Sequence, residues 1–145
     1  MTEGLIDLVG IEQWIYSLLE ADTTISGLVG TNIYSGGMAP QDATYPCIVF
    51  GLITSSDTVG NSAQRILTVS RYLVRAVDQV ESQNGNLKTL AQRIDVLLSP
   101  PTATGTVESG THILGSYRES PFNGILEAWN ILYRHLGGYY RIYTS

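Results

Sequence analysis

The chain has 145 residues, of which 43% are hydrophobic and 14% charged, and its formal net charge is −5 at pH 7. A chain of this length forms one domain with a core large enough to need no disulfide or metal. Its eight basic residues are spread along the sequence, so counterion release is weak and a nucleic-acid-binding protein is not expected. Soluble domains usually carry about 25% charged residues. The low charge therefore predicts a surface that another subunit partly covers.

The single cysteine and the N-terminal residues narrow the class of protein further. Cys47 cannot form a disulfide within the chain, and its apolar neighbours indicate a buried thiol rather than a nucleophile. Residues 1–3 lack the basic region of a secretory signal, and no apolar stretch approaches the roughly 18 residues of a membrane span. We therefore expect a protein that is made in a cytoplasm, stays soluble and contacts no membrane.

The first part of the chain is predicted to be helical and then irregular. Apolar residues recur every three or four positions over residues 5–19, which is the period of an amphipathic helix. Asp22 can cap a short second helical turn, which Gly30 ends. A short strand at 32–34 and a segment rich in turn-forming residues at 35–45 are expected to follow.

The central part of the chain is predicted to form an antiparallel hairpin. Two β-rich runs, 47–53 and 64–77, flank a polar segment at 55–63. A polar tip that packs on nothing in its own domain can reach a partner protein or a channel. The residues predicted to do so are Ser55, Ser56, Asp57, Thr58 and Val59.

A second helix is predicted after this hairpin. One apolar stripe runs along residues 87–98, and Pro100 and Pro101 close it. Residues 99–110 contain almost nothing that can be buried, so they are expected to form a surface loop or arm.

A second hairpin is predicted near the C-terminus. Strand-forming residues at 112–119 and 125–136 flank the turn-forming segment 120–124. A last strand segment at 139–143 follows a glycine pair at 137–138, where a bulge is expected.

The order of these elements predicts an α+β fold in a single domain over residues 1–145. We expect a mostly antiparallel sheet of about four strands with two main helices packed on one face. The strand runs at 64–77 and 125–136 carry apolar residues on both faces, so the second face of the sheet also needs a cover. A subunit interface is one candidate; the alternative is that loops and the short helix cover it within the monomer.

No pattern of catalytic or metal-binding residues is present in the sequence. His112 and His135 lie in separate strand-like runs without a cysteine or acidic residue at ligand spacing. No nucleophile elbow, zinc-protease or phosphate-loop motif occurs, and the carboxylates are scattered. We therefore predict that the protein is not an enzyme and carries no catalytic residue, metal or cofactor.

The aromatic residues near the C-terminus and the arginines of the long strand predict protein contacts. A stacking surface for bases is the alternative, but few cations accompany the aromatic side chains. Tyrosine and arginine are favoured at protein interfaces, and arginine suits ion pairs between subunits. The residues predicted to form the subunit interface are Arg65, Arg71, Arg75, Tyr133, Arg134, Tyr140 and Arg141.

Several stretches of the sequence, taken in order, resemble one family of phage proteins. The patterns Ile-Tyr, Ala-Pro-Gln and Tyr-Pro-Cys-Ile-Val-Phe within residues 33–50 resemble the segment that opens the sheet in small tail completion or tail terminator proteins of long-tailed bacteriophages. Residues 72–77, followed by the helix at 87–98, resemble the family's central strand and helix. Residues 133–142 resemble its last strand.

The resemblance implies a structural virion protein that forms a ring, commonly a hexamer. Such a ring caps the completed tail tube, docks to the neck and leaves a channel for DNA. The implied partners are other copies of the chain, the tail tube protein and a stopper or adaptor of the neck, with DNA passing unbound. Another neck component of the same particle is one alternative function. A small-ligand-binding or enzymatic α+β domain is the other.

Overall fold

A computed structural model describes residues 3–59, 65–81, 85–99, 105–106 and 112–145. Three helices and six strands lie in these ranges. In chain order they are α1 (Glu3–Ala21), α2 (Thr23–Val29), β1 (Ile33–Tyr34), β2 (Cys47–Val59), β3 (Arg65–Gln79), α3 (Asn86–Leu98), β4 (Gly105–Thr106), β5 (His112–Ala128) and β6 (Ile131–Thr144).

The strands form one mixed sheet with the order β1-β2-β3-β6-β5-β4. The four long strands pair antiparallel, whereas β1 lies parallel to β2. The predicted α+β class is confirmed, but about four strands and two helices were too few. The two short strands have two residues each: β1 corresponds to the short strand predicted at 32–34, whereas β4 lies in the predicted loop, because two residues are too few to leave a periodic pattern in the sequence.

The main core lies between the three helices and one face of the sheet. Side chains two residues apart on a strand point to the same face, so alternate residues of β2, β3 and β6 meet the apolar stripes of α1 and α3. The largest side chains that are completely buried in this core are Tyr72, Tyr140, Phe50, Ile11, Ile15, Leu19, Ile25, Ile48, Leu90, Ile94, Leu98 and Ile113.

A smaller apolar cluster lies on the opposite face of the sheet. Cys47, Val49, Val77 and Tyr133 are buried there, and the segment between β1 and β2 packs over them. The ring centroids of Tyr45 and Tyr133 are 4.7 Å apart. Part of the second face is therefore covered within the monomer, as the alternative of a loop cover predicted.

The C-terminal hairpin turns at a different place from the one predicted. Segment 120–124 lies inside β5, and the chain reverses at Trp129 and Asn130, with φ of 51° and 63°. Positive φ at both central residues is the geometry of a two-residue hairpin turn. The predicted bulge at 137–138 is also absent, because β6 pairs with β3 without a register shift there; the shifts lie on β5.

The predicted arm at 99–110 lies mostly outside the described residues. Of that segment the structure describes Ser99 and the strand β4, which pairs antiparallel with the start of β5 at Ile113 and His112. Part of the segment is thus a sheet edge strand rather than a loop.

Asp22 joins the start of α2 to α3. Its Oδ2 accepts a hydrogen bond from the Ile25 amide at 3.1 Å, and its Oδ1 lies 2.5 Å from Nη2 of Arg93. The hydrogen bond from Arg93 is the main cause that lowers the pKa of the Asp22 carboxyl. Because this pKa is lower when the protein is folded, the stability from Asp22 is present near neutral pH. It is lost as the pH falls below about 4.

We expect Asp22→Ala to lower the free energy of unfolding by at least about 1 kcal/mol, the usual effect of losing an N-cap side chain. Chemical denaturation at neutral pH measures this loss. Asp22→Asn is the matched control, because it keeps an oxygen acceptor for the cap but removes the charge beside Arg93. The difference in the free energy of unfolding between Asp22→Asn and the wild-type protein should vanish below the lowered pKa of Asp22. A difference that persists in acid would contradict this assignment.

Candidate assembly surface

The described residues contain no group of three His, Cys, Asp or Glu side chains that could hold a metal ion. Burial raises the pKa of the Cys47 thiol to about 12, so this thiol stays protonated and is a poor nucleophile. Within the same ranges, no helix is long and apolar enough to cross a membrane.

The polar residues predicted to form the first hairpin tip lie in a strand. Ser55 to Thr58 are exposed along the last part of β2, and Val59 ends that strand. Two contacts tie this part of β2 to β3: Ser55 Oγ lies 3.2 Å from Ser70 Oγ, and Thr68 donates a hydrogen bond to Asp57 at 2.6 Å. The rest of the predicted tip, 60–63, lies outside the described residues.

Two of the predicted interface arginines converge on one carboxylate of their own chain. Arg71 Nε lies 2.6 Å from Glu119 Oε1, and Arg141 Nε lies 2.7 Å from Glu119 Oε2. Arg71 also stacks over the ring of Tyr139, 4.2 Å from its centroid. The hydrogen bond from Arg141, together with that from Arg71, lowers the pKa of Glu119, although partial burial of the carboxylate acts in the opposite direction. This cluster lies on the sheet face opposite the helices.

Arg75 has partners within its own chain as well. Its Nε donates to Nδ1 of His135 at 2.9 Å, and its Nη2 donates to the Gly37 carbonyl at 2.7 Å. The side chain thus links the central strand to the segment between β1 and β2. Arg71 and Arg75, which were expected to pair with carboxylates of an adjacent subunit, are thus held by groups of their own chain, and so is Arg141.

The remaining predicted interface residues are distributed between the core and the surface. Tyr140 is 1% exposed, and its hydroxyl donates to Asp95 Oδ1 at 3.2 Å. Tyr133 is buried against Tyr45, whereas Arg134 is exposed on the outer part of β6. Arg65 begins β3, and its side chain lies outside the described set. The predicted subunit contacts at all these residues stay predictions.

The end of the β5–β6 hairpin is an exposed apolar surface, and it lies in the run 125–136 for which the sequence predicted apolar residues on both faces. We name it the apolar end. Each of its five large side chains is between 40% and 51% exposed; they are Ile125, Leu126, Trp129, Ile131 and Leu132.

The apolar end exposes hydrophobic side chains on both faces of the hairpin. Residues paired across an antiparallel ladder point to the same face. Leu126 pairs with Tyr133, and Glu127 pairs with Leu132, so Leu126 and Leu132 point to opposite faces. A two-stranded ribbon with two exposed apolar faces is typical of a surface that another protein covers. An asparagine between two apolar runs, at position 130, was the sequence signal for this turn.

A groove of about 400 Å³ adjoins the apolar end. It lies between the hairpin and the segment that precedes β2, and Met38 at its rim is 75% exposed. The Arg75–His135 pair forms part of its lining. The groove extends the apolar end onto the sheet face opposite the helices.

His135 should make the stability of the fold sensitive to mild acid. Burial, and secondly the charge of Arg75, lower the pKa of His135 to about 4. A histidine pKa is near 6.5 in an unfolded chain, so the unfolded state binds more protons between these two values. The free energy of unfolding should therefore fall as the pH falls from about 6.5 to about 4.

The measurement is chemical denaturation of the wild-type protein and of His135→Gln at about pH 7.5 and pH 5. We expect a smaller loss of stability in acid for the variant, because glutamine does not titrate. Equal losses in the two proteins would assign the acid sensitivity to other groups.

Comparison with known proteins identifies the fold but no family. No known sequence family and no curated protein matches the chain. A chain in the structure of the virion of a native gene transfer agent particle superposes with a TM-score of 0.65 at 15% identity, covering 96% of this chain and 98% of that one. A second solved protein, which carries no functional name, has a TM-score of 0.54 at 10% identity, covering 94% and 93%. The two TM-scores establish a shared fold over nearly the whole length of the three chains.

Proposed function

We propose that this chain is a structural, non-enzymatic component of a phage-like virion. The observation that carries the proposal is the likeness to a chain of the gene transfer agent virion, which spans 96% of this chain and leaves almost nothing of either protein unmatched. The apolar end supports it, since a large exposed apolar surface suits a protein that works inside an assembly.

The role that we propose within the particle is a ring at the end of the tail tube. The ring, hexameric in the proposal, caps the tube, joins it to the neck and leaves a channel for DNA. The resemblance of residues 33–50 and 133–142 to tail terminator proteins supports this role, as does the low content of charged residues. The partners are other copies of the chain, the tube protein and the adjoining neck protein.

The charge of the chain fits a channel through which DNA passes without being held. Each copy carries a net charge of −5, so several copies together repel phosphate. Arg71 and Arg141, which lie on the face away from the helices, share the carboxylate of Glu119. This pairing reduces the positive charge that they offer to a phosphate group.

Native mass spectrometry and negative-stain microscopy of the purified protein test the ring. We expect closed rings of one defined copy number in a concentration series up to about 100 µM, because assembly follows mass action. A monomer throughout the series would overturn the ring.

Fluorescence anisotropy with duplex DNA at about 0.15 M salt tests the channel. Micromolar binding would contradict it and favour a protein that holds DNA.

A further inference from the structure

The two sides of the sheet each expose an edge of backbone groups. On one side, β1 pairs with β2 only at Ile48 and Val49, and Gly37 donates to the Phe50 carbonyl at 3.0 Å. Beyond these contacts every residue of β2 from 52 to 58 is exposed. On the other side, β4 pairs only with the first two residues of β5, His112 and Ile113. Among the described residues, neither remaining edge has a strand partner on its outer side.

The register of the hairpin shows which groups of β5 point outward. A two-residue turn makes Ala128 and Ile131 a hydrogen-bonded pair, and such pairs alternate along an antiparallel ladder. The amides of Asn123, Ile125 and Glu127 therefore point to the outer side. Pro121 belongs to the same series and has no N–H, so it ends the usable edge. The edge that β5 can offer to another strand is 122–128.

The backbone groups of β2 alternate between the inner and the outer side in the same way. The Ile48 amide donates outward to the Asn32 carbonyl, so the partner of Ile48 on β3, Ala76, belongs to a pair without mutual backbone hydrogen bonds. Every second residue of β3 continues this pattern past the register shift near Ile53, and the series reaches Ser70 and Thr68. It follows that Ser55 and Asp57, opposite Ser70 and Thr68, direct their backbone groups outward. Their side chains contact those partners, as expected for pairs without mutual backbone bonds.

We propose that the β5 edge 122–128 of one copy pairs with the β2 edge 52–58 of the next copy, so that one sheet continues through the assembly. This inference rests on the proposed ring and names the contact that builds it. The two edges have equal length. Within the chain, β2 and β5 run in opposite directions, so copies related by rotation place them antiparallel.

Three properties of the two edges favour a second copy as the occupant. Both edges carry exposed apolar residues, Leu52 and Ile53 on β2 and the apolar end on β5. With the edges aligned end to end, Asp57 faces Asn123 and Glu127 faces Ile53, so no like charges are opposed. The edges also lie on opposite sides of the sheet, so each copy offers both halves of a head-to-tail contact, the type that generates rings.

The positions of β1 and β4 also explain how such a sheet could close. β1 blocks the start of β2, and β4 blocks the start of β5, so the open edges lie at opposite ends of the domain. Neighbouring copies must then be staggered along the strand direction. A sheet with a constant stagger closes when its strands tilt relative to the ring axis.

Proline substitutions at outward-facing positions test the proposal. Asn123→Pro and Ser55→Pro each remove one outward N–H without breaking a backbone hydrogen bond inside the monomer, whereas Asn123→Ala and Ser55→Ala keep the N–H. Ser55→Ala loses the same side-chain contact to Ser70 as Ser55→Pro, so the pair differs only in the backbone. We expect rings from the wild-type protein and both alanine variants, and loss of the ring from both proline variants. Their far-UV circular dichroism should match the wild-type spectrum.

Cross-linking keeps the test decisive if a proline variant fails to fold. A chain with both Ser55→Cys and Ile125→Cys, treated with a short bismaleimide, should give a ladder of covalent multimers, while each single variant should not. Cys47 is buried and should not react with the bismaleimide. Rings that persist in folded proline variants, or rings that give no ladder, overturn the edge contact but leave the ring. A wild-type protein that forms no ring overturns both.

Discussion

Gly137→Ala should prevent stable folding. A Cβ atom at this position would lie 2.1 Å from the Val74 carbonyl oxygen and 2.6 Å from the Arg75 Cα. Both are backbone atoms of β3, which pairs with β6 in the middle of the sheet, so no side chain can move aside. The two strands would have to separate. We expect a loss above about 4 kcal/mol, which is comparable with the whole stability of many domains.

Urea denaturation followed by circular dichroism measures this effect, and Gly115→Ala is its matched control. Gly115 also lies in a long strand, but no atom comes within 4 Å of a Cβ placed there. We expect the control to change the free energy of unfolding by less than about 1 kcal/mol. A Gly137→Ala protein with a wild-type midpoint would show that β3 and β6 are less closely packed than described.

Replacing three leucine and isoleucine side chains of the apolar end by threonine should strongly weaken assembly while the monomer stays folded. Ile125, Leu126 and Leu132 are each about half exposed, and threonine keeps the preference for a strand. Burial of the exposed half of each side chain against another copy is worth about 1 kcal/mol. The triple variant should therefore associate about 100-fold more weakly.

Mass photometry of the triple variant over a dilution series measures the change. Val96→Thr is the control, because Val96 is 50% exposed on α3, away from the apolar end. The control should assemble like the wild-type protein. Normal assembly of the triple variant would exclude the apolar end from the contacts between copies.

Local patterns predicted much of the fold. The apolar residues spaced by three and four positions at 5–19 and 87–98 lie in α1 and α3. Asp22 caps the start of α2 and Gly30 caps its end, as expected. These features depend on neighbours within one or two turns of helix, so the sequence around each residue contains the necessary information.

The C-terminal hairpin shows where local patterns mislead. Pro121 and Asn123 are turn formers, yet both lie within β5. Proline is tolerated there because its missing N–H points to the open side of an edge strand. The position of β5 in the sheet overrides its local preference, and that position depends on pairing with β6 rather than on nearby residues.

By itself, the sequence determined the α+β class, the two longer helices and the first hairpin, because the repeat of apolar residues follows the geometry of a single element. Only the tertiary structure decided which groups meet across the sheet. Glu119 pairs with Arg71, which is 48 residues away, and Gly137 meets the backbone of β3. It also decided that the apolar end is exposed, because exposure depends on which elements pack beside a segment and not on the residues within it.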